Sequence, residues 1–580
     1  MNSSDLRKKF LDFFRKNGHK IVPSSSLMPT DHSVLFTTAG MQQFKPYYLG
    51  EESLYGKNTA SSQKCFRTSD IEEVGDESHL TFFEMLGNFS FGGYFKKESI
   101  KLAYDFITKE MGFEIDYVTI FDPSKVEKGD WRAGVPKDQE SYDIWKNEIK
   151  IPEDKIKEEG IDNFWGPTGD EGPCGPTTEI YIKNVEGKSL EIWNIVFNEF
   201  YCDSGKNLKK LSPPGVDTGM GFERLVMISQ GKPSIFETDL FLPIIEEIEK
   251  QSGRKYESDK RIFRIIADHI KSSVFLIADG LLPSNVEQGY ILRRILRRTV
   301  RFGKTLKLSE NFFVPLAEKI INAYADIYPE LKSKKNDILT VIQKENEKFE
   351  MTLERGLKEF ERLQNKNMIS GEDAFNLYQS YGFPIEITEE LAQEKGLKVD
   401  VEGFKKELTK HQELSRTASV GMFKSGLADY SDQTIKYHTV THLLLAALRR
   451  VLGDHVVQKG SNITSERLRF DFSHSQKITA EELKQIEEIV NQKIKENLKV
   501  EWKELPLEEA KKQGAMGVFG EKYDKNVRVY SIFNEGTKEV FSKEICGGPH
   551  VEKTGDLGEF KIKKEESSSA GVRRIKAILK

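Results

Sequence analysis

The run LTFFEMLGNFSFGGYF, residues 80–95, is rich in apolar and aromatic residues and is interrupted by glycine and asparagine. Apolar runs of about five to eight residues with such boundaries are typical of β-strands. Three similar runs occur among the first 240 residues: SVLFTTAGM (33–41), LEIWNIVFNEFY (190–201) and VDTGMGFERLVM (216–227). The runs do not alternate regularly with helices. The pattern therefore predicts an antiparallel sheet flanked by helices rather than a doubly wound parallel sheet.

The following region, residues 241–413, has a helical pattern. Apolar residues recur three and four positions apart in segments 240–250, 261–279, 288–306 and 336–364. Residues 414–433 lose this period and gain Ser, Gly and Thr, which predicts a linker. Residues 434–580 again mix alternating and helical segments, and Thr479 with Glu482 forms the capping box of a helix. We therefore predict a multidomain α+β protein divided into residues 1–240, 241–413, 414–433 and 434–580.

The composition is that of a globular protein. The chain has 580 residues, of which 38% are hydrophobic and 31% charged, and its net charge of −5 excludes extensive coating of nucleic acid. No segment is long and apolar enough for a membrane span, and the first residues lack the pattern of a signal peptide. Four cysteines at irregular spacing do not form a disulfide framework, so a cytoplasmic location without membrane contact is expected.

Four residues form a candidate metal site. His438 and His442 are four positions apart in a predicted helix and so share one face. Cys546 and His550 have the same spacing in CGGPH, a segment whose Gly and Pro content predicts a turn. Three imidazoles and one thiolate suit Zn²⁺. Two surface histidines and an unrelated turn are the alternative, and the presence of only 10 histidines in the chain makes it the weaker one.

A basic stripe is the second candidate site. No acidic residue interrupts the segment from Arg293 to Lys307, and like charges four residues apart in a helix repel one another unless a partner neutralises them. The arginines of this segment are Arg293, Arg294, Arg297, Arg298 and Arg301. A solvated helix face is the alternative, but the missing acids favour contact with a nucleic-acid backbone.

Two shorter motifs are weak when taken alone. VDTGMGFER places Gly219 and Gly221 before Arg224, where the glycines permit close approach of the backbone, but it lacks the third glycine of a dinucleotide fingerprint. Arg67 precedes an aromatic run and could hold a phosphate.

Taken in chain order, the segments resemble the alanyl-tRNA synthetases, a family of class II aminoacyl-tRNA synthetases. The similarity extends over nearly the whole chain. The clearest matches are NGHKIVPSSSLMPTDHSVLFTTAGMQQFKPYYLG (17–50), TFFEMLGNFSFGGYF (81–95), WGPTGDEGPCGPTTEIY (165–181), VDTGMGFERL (216–225), LIADGLLPSNVEQGYILRRILRRTVRFG (276–303), HTVTHLLLAALRRVLGDHVVQKGS (438–461), CGGPH (546–550) and SSSAGVRRIKAI (567–578).

The resemblance implies a class II catalytic domain at 1–240, a helical tRNA-binding domain at 241–413 and an editing domain at 434–580. It implies that alanine and ATP, supplied with Mg²⁺, form alanyl-adenylate, and that the alanyl group then passes to tRNA(Ala). Carried over residue by residue, it implies phosphate contacts by Arg67 and Arg224, an ammonium contact by Asp217 and carboxylate contacts by Asn194 and Arg67. It further implies that Trp165, Val196 and Gly219 enclose the substrate methyl group and that Met85 lies near the nucleotide.

The resemblance also gives the four candidate metal ligands a role. A pocket shaped for a methyl group excludes glycine and serine poorly, and a second, hydrolytic site is the usual remedy. The family's editing domain binds one zinc ion through residues that correspond to His438, His442, Cys546 and His550. Gln458 corresponds to a polar residue of the editing pocket. Hydrolysis of tRNA(Ala) that carries serine or glycine is therefore expected.

Four departures from the family pattern qualify these expectations. The 414–433 segment stands where most members have a longer β-barrel segment. The sequence ends where they continue into a C-terminal domain that supports dimerisation, so a monomeric short form is expected. The two residues that correspond to the readers of the acceptor-stem G·U pair are Lys304 and Gln379, so we expect that pair to be recognised weakly or differently. Pro549 stands where threonine is usual, and proline lacks a backbone donor.

Other functions remain open at this stage. Threonyl-tRNA synthetases share the editing module but place it before the catalytic domain, and they bind zinc in the catalytic site. A non-catalytic paralogue is expected to lack Arg67, Asp217 or Arg224, and all three are present. A deacylase with an inactive first half is distinguished by whether alanine stimulates ATP–pyrophosphate exchange.

Overall fold

The computed structural model describes residues 1–30, 34–364, 368–420, 431–517, 526–569 and 571–580, with side chains except at 412–420, 511 and 569. The chain divides into two compact units. The first comprises Met1–Gln364 and Leu377–Leu391, and the second comprises Asn365–Asn376 and Ala392–Lys580. The predicted boundaries at residues 240 and 413 do not coincide with this division and stay predictions.

A large sheet forms the centre of the first unit. Its strands are β1 (Lys20–Ile21), β2 (Asn58–Phe66), β3 (Phe82–Phe91), β4 (Tyr117–Phe121), β5 (Ile156–Glu159), β6 (Phe164–Trp165), β7 (Gly172–Lys183), β8 (Ser189–Cys202) and β9 (Leu208–Gly221). The order is β1-β2-β3-β9-β8-β7-β4-β5, and β6 pairs with β7. Only the edge pairs β1–β2 and β4–β5 are parallel. The predicted antiparallel pairing is thus confirmed for the central strands, and the sheet as a whole is mixed.

Helices flank this sheet, as predicted. They are α1 (Ser3–Lys16), α2 (Lys45–Tyr48), α3 (Lys96–Asp105), α4 (Gln139–Asp143), α5 (Phe222–Ser229) and α6 (Leu242–Ser252). In α1, Phe10 and Phe14 are fully buried and both contact the indole of Trp193 on β8. This amphipathic face fixes the first helix on the sheet.

The predicted strand at 33–41 is wrong for its described part. Residues 34–36 form bends, and Gly40–Phe44 form a 3₁₀ helix. The Thr37 N–H donates to the carbonyl of Leu27, and the Thr37 carbonyl accepts from the Phe66 N–H, so the segment closes over the end of β2 without joining the sheet. Apolar content alone could not distinguish this buried connection from a strand.

Eight helices follow: α7 (Lys260–Ala278), α8 (Glu287–Thr305), α9 (Phe313–Tyr324), α10 (Pro329–Ser333), α11 (Lys335–Leu363), α12 (Gly371–Tyr381), α13 (Ile385–Glu394) and α14 (Val401–Val420). The region is not all helical, because β10 (Met368–Ile369) pairs with β11 (Lys398–Val399) in a parallel ribbon. The predicted linker also differs from the structure. Its residues 414–420 belong to α14, and 421–430 lie outside the described residues.

The last 150 residues fold around α15 (Asp432–Leu452). The other elements are β12 (Gln458–Ile463), β13 (Leu468–Ser473), α16 (Ala480–Lys495), β14 (Lys499–Pro506), α17 (Leu507–Lys512), β15 (Asn526–Phe533), β16 (Val540–Ile545), β17 (Phe560–Ser569) and β18 (Val572–Leu579). They form two sheets, β12-β13-β18-β17 and β14-β15-β16. The predicted capping box of Thr479 and Glu482 begins α16. Among the described residues, no helix combines the length and apolarity needed to cross a membrane.

Candidate active site and metal centre

A cavity of about 700 Å³ lies in the first unit and is lined by residues of β3, β6, β8 and β9. The structure brings together here every residue that the sequence assigned to substrate contact. These are Arg67, Met85, Trp165, Asn194, Val196, Asp217, Gly219 and Arg224. They come from segments up to 157 positions apart in the chain, so their convergence is a property of the fold.

Strands β8 and β9 supply the floor of the cavity. Val196 pairs with Asp217, and Asn194 pairs with Gly219. Because side chains alternate along a strand, these two pairs face the same side of the sheet. The Asp217 carboxylate is 4% exposed, and burial raises its pKa to about 7. Within the described part of the chain, no cation forms an ion pair with it.

Gly219 determines the space available beside Met85. A Cβ atom at this position would lie 2.9 Å from the Met85 Sδ atom, closer than carbon and sulfur normally approach. The same Sδ accepts a hydrogen bond from the Gly40 N–H at 3.3 Å. Because Gly219 has no side chain, Met85 can pack directly against β9.

Two arginines face the cavity. Arg67 directly follows β2; its guanidinium lies 4.9 Å from the centre of the Phe83 ring, and its Nε donates to the Thr38 carbonyl at 3.3 Å. Arg224 lies in the first turn of α5, and its Nη1 is 3.3 Å from the Glu191 carboxylate. Both lie where oxygen-rich anions can reach them.

Glu179 is another residue of the cavity wall, and the sequence motifs did not predict its role. Its Oε1 accepts from the Asn194 Nδ2 at 2.8 Å, and its Oε2 accepts from the Tyr181 hydroxyl at 2.9 Å. Burial, together with the charge of Glu191, raises the pKa of Glu179 to about 8. Glu179 could have been identified only through its pairing with Asn194 across β7 and β8. Predicting that pairing requires the register of the two strands.

The structure corrects the prediction that the basic stripe of α8 contacts phosphates. Arg298 and Arg301 are only 2% and 6% exposed, and both pair with Glu390 of α13, at 2.9 and 2.6 Å. Arg298 Nη1 also donates to the carbonyl of Ile71 at 2.7 Å. The predicted phosphate contact is therefore wrong for Arg298 and Arg301. The missing acids exist, but they lie on other elements.

The other three arginines of the stripe also have protein partners. Arg293 and Arg297 pair with Glu345 of α11, and Arg294 pairs with Glu72 and Glu386. Lys304 is different, because its side chain is 46% exposed and pairs with the exposed Glu354. Gln379 near the end of α12 is also exposed.

The second unit brings the four predicted metal ligands together. One ligand atom from each of His438, His442, Cys546 and His550 lies within 4.8 Å of the others. The histidines of α15 are one turn apart, and CGGPH is an irregular segment after β16, as predicted. The Cys546 Sγ is 3.3 Å from the His438 Nε2.

Outer contacts orient these side chains. His438 Nδ1 lies 3.0 Å from the Pro549 carbonyl, His442 Nδ1 lies 3.3 Å from the Glu544 carboxylate, and His550 Nδ1 lies 3.2 Å from the Thr439 hydroxyl. Each histidine thus engages Nδ1 outward, which is the usual arrangement of metal-binding imidazoles. The His550 Nε2 is buried and has no hydrogen-bond partner among the described residues.

Electrostatics favour a thiolate in this cluster. Burial alone would raise the pKa of Cys546, but the imidazoles of His438, His442 and His550 lower it to about 2. Burial and the charge of His442 lower the pKa of His550 to about 3. An anionic sulfur beside a neutral imidazole with an unpaired nitrogen is a donor set that fits a divalent zinc ion.

Gln458 is the first residue of β12, and its Nε2 donates to the Ser461 hydroxyl at 3.3 Å. It belongs to the same unit as the metal cluster. Its assignment to an editing pocket stays a prediction.

Comparison with known proteins gives two family matches. The family described as tRNA synthetases class II (A) matches residues 5–445, and the threonyl and alanyl tRNA synthetase second additional domain matches residues 527–576. The second match includes two of the four metal-cluster residues, Cys546 and His550.

Several similar proteins bear the name alanine–tRNA ligase. That of Borreliella afzelii is 48% identical and is matched over 100% of both chains. That of Treponema denticola is 49% identical over 99% of this chain and 98% of its own. That of Dehalococcoides mccartyi is 37% identical over 100% of this chain and 80% of its own.

Proposed function

The chain belongs to the class II alanyl-tRNA synthetases, and we propose that it joins alanine to tRNA(Ala) through the residues of the 700 Å³ cavity. As an alanine–tRNA ligase it carries out two steps. A carboxylate oxygen of alanine attacks the α-phosphorus of ATP, and pyrophosphate leaves. A ribose hydroxyl of the terminal adenosine then attacks the alanyl carbonyl carbon, loses its proton, and AMP leaves.

Asp217 binds the ammonium group of alanine. Its carboxylate is buried and lacks a cationic partner among the described residues, so the substrate supplies the missing positive charge. The Asn194 amide has two N–H donors, and the one that remains beside its bond to Glu179 serves the substrate carboxylate together with Arg67. These contacts hold the attacking oxygen against the nucleotide, which is the main source of the rate enhancement.

The two arginines bind the phosphates. Arg67 neutralises the α-phosphate at which charge develops, and Phe83 beneath it limits the movement of the guanidinium. Arg224 binds the β- and γ-phosphates by exchanging its contact with Glu191 for the incoming anion. ATP enters as its Mg²⁺ complex, and the cation offsets part of the triphosphate charge.

The size of the methyl pocket sets the limit of selectivity. Trp165, Val196 and Gly219 enclose the methyl group, and Met85 fills the space beside Gly219. Such a pocket discriminates against a substrate that lacks the methyl group, or that carries an added hydroxyl, by only about 1–3 kcal/mol. Glycine and serine are therefore activated at measurable rates.

The convergence of all eight residues in one cavity carries this proposal, and ATP–pyrophosphate exchange tests it. Exchange should depend on alanine and proceed more weakly with serine and glycine. An Asp217→Asn variant should lose alanine-dependent exchange, while Asp239→Asn, an exposed change elsewhere in the unit, should retain it. Absence of exchange with alanine in the wild type would refute the proposal and leave a pure deacylase.

For the second unit we propose hydrolysis of serine and glycine esters of tRNA(Ala). Water adds to the ester carbonyl carbon, the bond to the ribose oxygen breaks, and that oxygen takes up a proton. His438, His442, Cys546 and His550 would hold one zinc ion, which would organise the site; it could polarise a water where one of the four ligands gave up its position. The unpaired His550 Nε2 and the low pKa of Cys546 support this assignment.

Metal content and deacylation test this second activity separately. Purified protein should contain about one zinc per chain, and His442→Ala should lose both the metal and the hydrolysis of Ser-tRNA(Ala). Alanine-dependent exchange should persist in that variant. Retention of full hydrolysis without zinc would contradict the proposed role of the cluster.

Acceptor-stem recognition is proposed to depend on Lys304 and Gln379, the two exposed residues at the predicted positions. An ammonium can only donate hydrogen bonds, whereas an amide both donates and accepts them. Lys304 therefore recognises an acceptor on the G·U pair and does not match a combined donor–acceptor pattern. Charging of tRNA variants altered at the G·U pair should show a weak preference. A strong preference for G·U would refute this proposal.

A further inference from the structure

A row of three side chains crosses the small sheet of the second unit and ends at the metal cluster. Trp502 of β14 pairs with Tyr530 of β15, and Tyr530 pairs with Glu544 of β16. Directly paired residues lie on the same face of a sheet. Glu544 reaches His442, and the Tyr530 ring lies 4.3 Å from that of His550, centre to centre.

Arg528 belongs to the same face. It is two positions before Tyr530, and its guanidinium lies 4.8 Å from the centre of the Trp502 ring. Its carbonyl accepts the Cys546 N–H at 3.0 Å, which ties this strand position to the thiol of the cluster. The indole and the guanidinium are therefore connected to the metal cluster through the Tyr530 ring and the backbone of β15.

Among the described residues, Trp502 contacts the Tyr530 ring and the Arg528 guanidinium but does not belong to an apolar core. Its side chain is 48% exposed, and it belongs to neither of the two apolar clusters of this unit. One cluster contains Val527 and Val529, which lie on the opposite face of β15. A half-exposed tryptophan with an arginine over its ring matches the pairing of aromatic and cationic side chains that binds unpaired nucleobases.

We propose that Trp502 and Arg528 form a stacking site for the terminal nucleobase of the aminoacylated RNA 3′ end. This inference rests on the proposed editing activity. One ribose ring separates a terminal base from its ester, and one tyrosine ring separates Trp502 from His550. A base stacked on the indole thus directs its ester toward the cluster, while Arg528 offsets the charge of the adjacent phosphate.

Hydrolysis of Ser-tRNA(Ala) by the full chain tests the site. Trp502→Leu keeps apolar bulk but removes the aromatic face, and it should raise KM roughly tenfold with kcat changed less than about twofold. Trp502→Tyr should remain near the wild type. Lys503→Ala, an exposed change on the opposite face of the same strand, is the matched control. Zinc content and alanine-dependent exchange should be unchanged in all three variants.

Fluorescence supplies a second measurement that does not require turnover. The probe is an acceptor-stem RNA hairpin that ends in CCA and carries serine through a 3′-amide. It should quench the wild type more than Trp502→Phe, because only the wild type has an indole at the site. Equal quenching of the wild type and Trp502→Phe would overturn the stacking site. So would a KM of Trp502→Leu within about twofold of the wild-type KM, provided that the wild type is active. A wild type that does not hydrolyse Ser-tRNA(Ala) would instead refute the editing activity itself.

Discussion

At the scale of single residues, the proposed mechanism makes the first step depend on the protonation state of one carboxylate, that of Asp217. Asp217 is buried, and burial raises its pKa to about 7, whereas an ammonium partner needs it ionised. The amino group of alanine remains protonated well above this pH. The fraction of enzyme that can bind alanine therefore rises with pH until the carboxyl group is fully ionised.

This predicts a specific pH profile. The value of kcat/KM for alanine should fall about tenfold per pH unit below pH 7 and level off above it. Bound alanine stabilises the ionised carboxylate, so the fall in kcat should begin at a lower pH than the fall in kcat/KM. Steady-state exchange at several pH values measures both. A kcat/KM that stays constant from pH 8 to 5 would contradict the assigned role of Asp217.

Gly219 predicts a change in selectivity. In Gly219→Ala the added methyl meets the Met85 Sδ, so Met85 must leave the Gly40 N–H and move into the cavity. Alanine-dependent kcat/KM should fall roughly tenfold, and the ratio of glycine to alanine exchange should rise because the pocket is smaller. Gly134→Ala adds a methyl in open space and serves as the control. An unchanged ratio would show that this wall does not limit substrate size.

The residues of the cavity differ in how far sequence could predict them. Asp217 and Gly219 lie in one short motif, and their two-residue spacing already places them on one face of a strand. Glu179 was not predictable in this way, because it acts through Asn194 on the neighbouring strand and only the register brings the two together. The pKa of Glu179 likewise depends on burial that no local pattern encodes.

At the scale of elements, α8 is a structural helix whose arginines form ion pairs with acidic residues of other elements. Glu390 pairs with both Arg298 and Arg301, and its own pKa is lowered by these partners despite burial. The sequence could predict the helix and its basic face from their period. It could not predict the acids, since Glu345 and Glu390 lie 48 and 89 positions from their nearest arginine partners.

This arrangement predicts unequal effects within one helix. Glu390→Gln leaves two buried arginines without a full counter-charge and should lower the free energy of unfolding by about 3–5 kcal/mol. Lys304→Ala removes an exposed pair with Glu354 and should change it by only about 0–1 kcal/mol. Urea unfolding of both variants measures the difference. Equal stability of the two variants would show that Glu390 does not compensate buried arginines.

At the scale of the whole molecule, the two candidate sites belong to different compact units. The cavity lies within Met1–Gln364, and the metal cluster lies within Ala392–Lys580. Both sites recruit residues that are far apart in sequence but close within their own unit. Each site therefore has its own structural support, and losses of function should be separable.

Paired variants test this separation. His438→Ala removes one cluster ligand and should abolish zinc binding and hydrolysis of Ser-tRNA(Ala), with alanine-dependent exchange within about twofold of the wild type, so that serine accumulates on tRNA(Ala) when serine is supplied. Asp217→Asn should show the reverse pattern, because the ammonium contact is lost while the cluster stays intact: no exchange, but normal hydrolysis of Ser-tRNA(Ala) added from outside. Each variant serves as the control for the other, with circular dichroism to verify folding. If Asp217→Asn lost hydrolysis while remaining folded and metal-replete, the two units would share one functional site, and the division of synthesis and correction between them would be wrong.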